Sequence, residues 1–289
     1  MRNNKFMPLI LLLPFIFVTA LIIMAAAVVI MQSLGWIPAF GLTELSLQYY
    51  AEILTDSDFL SSLSVSLRVS IISTVISAVL GVAICAAIVA GGKGKFPFIV
   101  RFPILVPHAV VAVFAINILS QTGHIARAAY ALGLIADYSQ FTPLLYTESF
   151  LGVIVAYVWK EAPVVAFFVY ALMVSISSSL GEAAQNLGAS PLRSFFAVTL
   201  PLSMPAIANA SFIIFVFAFA GYELPMLLGS TLPKALPITA FLEFTSPDLL
   251  NRPYAMATNG VLLMFAVFAA VLYLISIQYA VKRTGGKNE

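Results

Sequence analysis

The stretch "GEAAQNLGASPLRSFFAVTLP", residues 181–201, is a polar interruption punctuated by glycine and proline in a chain that is otherwise mostly apolar. Of the 289 residues, 62% are hydrophobic and 9% are charged, and the mean hydropathy is +1.04. A soluble domain carries roughly 25% charged residues, so this composition assigns the chain to a bilayer. A segment that stays amphipathic in such a chain is either an interfacial elbow that only turns the chain between spans or a surface with a task of its own.

Outward from that stretch, runs of about 20 apolar residues, the length that crosses roughly 30 Å of hydrocarbon, occur six times. They are predicted at residues 9–31, 65–90, 102–121, 150–174, 204–228 and 255–281. Each is read as a helix, because only a helix satisfies its own backbone within a single segment in lipid. The first run follows Arg2 and Lys5 and is longer than the apolar core of a signal peptide, so it is expected to remain as a membrane helix. The resulting division is residues 1–60 for the first helix and an outer loop, and residues 61–289 for a core of five helices.

Basic residues orient the helices. With the N-terminus inside, Arg2, Lys5, Lys93, Lys95, Arg101, Arg193, Lys282, Arg283 and Lys287 fall on the inner side, and Arg127, Lys234 and Arg252 on the outer. Both termini and the stretch at 181–201 are then cytoplasmic. The loop at 32–64, with Glu44, Glu52, Asp56 and Asp58 and no basic residue, is external.

Catalytic chemistry finds little support. "GGKGKF", residues 91–96, lacks the Ser or Thr that a phosphate loop requires after Gly-Lys, and reads as a short basic turn. The lone Cys85 excludes disulfides within the chain, His108 and His124 make a poor metal site, and the net charge of +2, which topology explains, points to no nucleic acid. No metal or cofactor is expected in this chain, which is not expected to be an enzyme.

The spacing within 181–201 predicts two short helices. Ser179 and Glu182 have the spacing of a capping box, so a first helix is expected to start near Leu180 and to end at Gly188, which suits the left-handed position past a helix terminus. Ser190 then caps a second helix with Pro191 at its first position, and Pro201 is expected to end it. Glu182-Ala183-Ala184, three residues, Gly188, nine residues and Val198-x-Leu200-Pro201 resembles the EAA signature of the permeases of binding-protein-dependent ABC importers. The family usually has Ile where this chain has Val198, a change of similar volume. "SLRVSIISTVISAVLG" at 66–81 and "WKEAPVVAF" at 159–167 are also similar to that family.

The resemblance implies an all-α membrane protein of six transmembrane helices with the MetI-like fold of type I ABC importer permeases, in a bacterial inner membrane. It implies that the loop at 179–201 is a coupling helix, in which Glu182, Ala183, Ala184, Gly188, Val198, Leu200 and Pro201 meet a separate cytoplasmic ATPase, with Phe195 and Phe196 anchoring it to the spans. The implied partners are an ATPase dimer that holds ATP and Mg, a second permease identical or homologous, an extracytoplasmic solute-binding protein and membrane lipid. "LGASPLRSFFAVTLPLSMPAI" and "ALPITAFLEF" most resemble the polyamine branch, near iron, phosphonate, thiamine and sulfate permeases.

Charges inside a span mark functional candidates. Lys160, Glu161 and Glu223 are candidates for the substrate pathway; interhelical pairing for the first two, and an interfacial position for Glu223, are the alternatives. Arg68 is expected to snorkel to the interface. A secondary transporter using Lys160, Glu161 and Glu223 as an ion relay is the rival reading, although the chain shows no inverted repeat.

Overall fold

The computed structural model describes residues 7–91 and 97–285; most of the basic turn at 91–96 lies outside them, as do Arg2, Lys5 and Lys287. In chain order the helices are α1 (Met7–Ser33), α2 (Gln48–Thr55), α3 (Ser57–Ala90), α4 (Phe98–Leu105), α5 (His108–Leu119), α6 (His124–Ala131) and α7 (Leu151–Ile176). They continue as α8 (Glu182–Asn186), α9 (Pro191–Ser194), α10 (Leu200–Phe219), α11 (Glu223–Leu228), α12 (Leu236–Phe244) and α13 (Arg252–Gly285). Among the described residues, six helical stretches are long and apolar enough to cross a membrane: Leu11–Ser33, Ser57–Ala90, His108–Ala131, Leu151–Asn186, Pro191–Phe219 and Leu249–Ile275.

Two expected spans are drawn differently. The third, predicted as one helix over 102–121, is broken between α4 and α5 at Val106-Pro107. Pro107 has no N–H to give to the carbonyl of Pro103, so the helical ladder stops there. The fifth, predicted over 204–228, starts earlier at Pro191 and stops at Phe219. Ala220, Gly221 and Tyr222 leave the helix before α11 begins.

The chain forms two compact units. The first comprises Met1–Leu60 and Thr239–Met264. Within it Tyr50 donates its hydroxyl proton to Ser33 Oγ at 2.8 Å, and the ring of Tyr49 meets that of Tyr254 edge-on with centroids 5.1 Å apart. The Tyr254 hydroxyl in turn donates to Glu52. Thr258 donates to Glu243 at 3.2 Å, and burial raises the Glu243 carboxyl above its ordinary range.

The second unit comprises Ser61–Ile238 and Phe265–Glu289, with α7 at its centre. Successive parts of α7 belong to different apolar layers. Val153, Ile154, Ala156 and Tyr157 join a cluster with α5 and α11. Val165 packs with Ala210 and Ile214 of α10, and Ala166, Val169 and Met173 pack with Cys85 and Ile207. Small residues bring α3 into this core: Ser66, Ser70, Ser73 and Ser77 are buried at helical spacing, and Ser66 Oγ accepts the Leu236 N–H at 2.7 Å. Arg68 does not simply snorkel, since its guanidinium donates to the Glu148 carbonyl at 2.6 Å.

One turn beyond Ser77, Gly81 lies against α7 so closely that a Cβ there would stand 2.6 Å from the Ala162 carbonyl oxygen and 2.6 Å from Val165 Cβ. Gly81→Ala must therefore push the two helices apart. The expected cost is about 1–3 kcal/mol, read as a lower thermal unfolding midpoint of the detergent-solubilised protein; an unchanged midpoint would mean that α3 and α7 have room to spare.

Candidate functional site

The elbow at 181–201 forms much as its residues imply, with two differences. Ser179 does not cap a new helix. Its hydroxyl donates to the Ser175 carbonyl at 2.8 Å, and the chain passes from α7 through a π turn, Ser177–Gly181, straight into α8. Nor does Pro201 end a helix: α9 passes through a second π turn, Phe195–Thr199, into α10, with Pro201 in its first turn. The wider i→i+5 turn precedes Pro201, so the missing N–H falls where the bonding register changes. Each arm of the elbow is thus continuous with a long membrane helix.

The tip is a Schellman closure. Gly188 adopts φ +93°, its N–H donates to the Gln185 carbonyl at 2.9 Å, and the Ala189 N–H reaches back to Ala184 at 3.1 Å. These bonds serve carbonyls that the end of α8 would otherwise leave open. Ser190 then accepts the Arg193 N–H at 3.3 Å as the cap of α9. A buried brace joins the arms, with Ser194 Oγ donating to the Gly181 carbonyl at 2.9 Å.

The signature residues divide by direction. Glu182, Ala183, Gly188 and Pro201 are exposed, and Ala184, Val198 and Leu200 are half-buried. Leu187 at the tip is an apolar side chain 90% exposed. Phe195 and Leu200 turn inward against the cluster of Cys85, Val169 and Met173. Phe196 lies edge-on to Phe195 at 5.2 Å but is 57% exposed, so Phe195 supplies the anchorage expected of both.

A second polar region lies at the break between α4 and α5. Lys160 and Glu161 on α7 are buried. Lys160 Nζ donates to the Val106 carbonyl at 2.8 Å and to those of Pro103 and Ile104 at 3.4 Å, which suits the negative end of α4. Glu161 Oε1 lies 3.3 Å from His108 Nε2 in the first turn of α5. Tyr157, one turn before Glu161, is fully buried, with its ring 6.2 Å from that of His108. Its hydroxyl occupies the space that a Cβ on Gly221 would need.

Glu223 opens α11, just past the break at Gly221, and is exposed. The structure therefore places Lys160 and Glu161 in protein contacts and leaves Glu223 open. His108 is the member of this group that sequence reading missed. As a metal ligand it has too few companions, and the usable signal is its position right after Pro107 in an apolar run. Among the described residues, no three His, Cys, Asp or Glu side chains are placed to hold a metal ion.

No family model matches the chain. Putrescine transport system permease protein PotI of Escherichia coli (strain K12) is 25% identical over 200 residues, covering 68% of this chain and 66% of that one. Ferric transport system permease protein FbpB of Actinobacillus pleuropneumoniae is 25% identical over 170 residues, covering 59% of this chain and 24% of that one. The matched stretch is thus just under two thirds of the length of PotI and about a quarter of FbpB. Among solved structures, a chain of the bacterial alginate ABC transporter in complex with alginate pentasaccharide-bound periplasmic protein is similar with a TM-score of 0.73 and 20% identity, covering 99% of this chain and 97% of that one. The chain has the all-α, MetI-like fold of type I importer permeases and is similar in sequence to permeases of ABC importers.

The brace inside the elbow is testable by itself. Ser194→Ala removes one buried hydrogen bond, an effect of about 1 kcal/mol or roughly fivefold in local opening. Amide exchange across 181–194 should quicken by that factor in the purified protein, and an unchanged rate would mean that the arms are held by packing alone.

Proposed function

We propose that this chain is the membrane-spanning permease subunit of an ATP-driven importer, and that it moves a small hydrophilic solute delivered by an extracytoplasmic binding protein. The observation that carries the proposal is the elbow. A tight turn at Gly188, with Glu182 and Ala183 exposed beside it, is joined through helical backbone to two membrane helices, so a load on the tip is delivered to both. The similarity to ABC importer permeases supports the same reading.

In this reading both termini and the elbow are cytoplasmic, and a separate ATPase dimer binds ATP and Mg and performs hydrolysis. Glu182, Ala183, Ala184 and Gly188 form the docking face, while Val198, Leu200 and Pro201 lead from it into α10. A second permease, identical or homologous, completes the pathway. Closure of the ATPases on ATP draws the two elbows together and turns the cavity outward to receive solute; hydrolysis returns it inward. This chain supplies translocation and coupling and no catalysis.

A polyamine is the preferred solute. The similarity to PotI supports it, as does the exposed carboxylate of Glu223 beside a broken helix, a place where irregular backbone can line a water-filled route. Glu223 is assigned to the solute pathway, with Lys160 and Glu161 supporting the helices around it.

The test is uptake in proteoliposomes that contain the permease with its ATPase and binding protein. Gly188→Asp and Glu182→Lys should each abolish ATP-dependent uptake while the protein stays folded in the membrane; wild-type uptake by both sinks the coupling assignment. Uptake that survives ATP depletion and collapses with the proton gradient would favour an ion-coupled transporter. With putrescine and spermidine as probes, Glu223→Gln should weaken half-saturation by about tenfold, equivalent to about 1.4 kcal/mol, and an unchanged uptake profile removes Glu223 from the pathway.

A further inference from the structure

We infer that Lys160 and Glu161 are positioning residues that latch the broken helix pair α4 and α5 onto α7, so that motion arriving from the elbow reaches the region of Glu223 instead of being absorbed at the break.

Three observations combine. The first is the break. Pro103 and Pro107 withdraw two backbone N–H groups from one turn; the Val106 N–H reaches Pro103 at 3.3 Å in place of the lost ladder bond, and the carbonyls at the end of α4 can each take a further donor. The three protons of the Lys160 ammonium match the carbonyls of Pro103, Ile104 and Val106, which is the whole donor capacity of the side chain. The second is the adjacency of the two charges. Neighbouring residues on a helix point about 100° apart, so Lys160 reaches the end of α4 while Glu161 reaches His108 at the start of α5. One turn of α7 thus grips both sides of the gap. The ammonium and carboxylate also balance one another at a depth where a lone charge would be costly.

The third observation is what lies at each end. Val100 of α4 packs in the same cluster as Phe195 and Leu200, the inward residues of the elbow. Beyond the break, α5 packs against α11, whose first residue is Glu223. The route runs from the elbow through Val100 along α4, across the gap, along α5 and into α11. Without a latch the gap is a free joint, and α4 can tilt without moving α5. With it, α4, α5 and α7 turn together. Gly81, which admits no Cβ against Ala162 and Val165, ties α3 to the same body just beyond the latch.

The transport part of this inference rests on the importer reading; the mechanical part does not. The full-length protein carries spin labels at Ile99→Cys on α4 and Val113→Cys on α5, both exposed positions, in a Cys85→Ala background. Lys160→Met should broaden the distance distribution between the labels at least twofold. Glu161→Gln keeps the shape and a hydrogen bond to His108 but not the charge, and it should broaden the distribution less. If Lys160→Met fails to fold, Glu161→Gln still decides the matter. Unchanged distributions overturn the latch. In the reconstituted transporter, Lys160→Met should keep ATP hydrolysis near the wild-type rate and lower solute moved per ATP about fivefold or more, which a loss of folded protein alone would not do. Broadened distances with an unchanged transport ratio overturn the coupling role. A wild-type assembly that takes up nothing with ATP counts against the importer reading, and the label distances still decide the latch.

Discussion

A backbone carbonyl in hydrocarbon must have a donor, and the arrangement of the core follows from how that demand is met where the helices break. Unbroken helices satisfy themselves. At Val106-Pro107 they do not, and the donor is Lys160, a residue whose burial would be prohibitive without such partners. Lys160 brings its charge with it, and Glu161 answers that charge while holding His108. Tyr157 packs one turn away, filling the space left by Gly221 at the second break. Lys160 and Glu161 on one turn of α7 and Tyr157 on the turn before thus face the interruptions in both neighbouring helices.

The elbow solves the opposite problem, at the end of the unit where the chain has to leave the helices and return. A Schellman closure at Gly188 and a serine cap at Ser190 meet the backbone demand within about ten residues. The two π turns on either side pack against one another and are braced by Ser194. Their effect is continuity: α8 is the end of the helix that begins at Leu151, and α9 is the start of the one that ends at Phe219.

Relatives that share this plan are named for cargoes as unlike as putrescine and ferric iron, and the similar fold comes from an alginate transporter. In this chain Glu223 is open beside the second break, and the neighbouring charges of Lys160 and Glu161 reach the end of α4 and the start of α5.

Most of the fold was legible in composition and spacing, because the cost of exposing backbone to lipid acts on every residue and leaves a signal about 20 residues long. Six spans, the turn at Gly188 and the cap at Ser190 follow from such local rules, and the EAA spacing pointed to the kind of protein. The rules misled where a local signal competes with a longer-range one. Ser179 and Glu182 have the spacing of a capping box, yet the helix before them does not end: the chain runs through the π turn Ser177–Gly181 into α8, and the Ser179 hydroxyl serves the Ser175 carbonyl behind it. Pro201 reads as a stop, but it falls in the first turn of α10, just after the π turn Phe195–Thr199. The sequence by itself determined the number of spans, the turn at Gly188 with its cap at Ser190, and the presence of charge within a span. Only the tertiary structure decided that Lys160 and Glu161 serve two helix ends while Glu223 stays open, because each partner lies more than fifty residues away in the chain and no local pattern records which carbonyls will lack a donor.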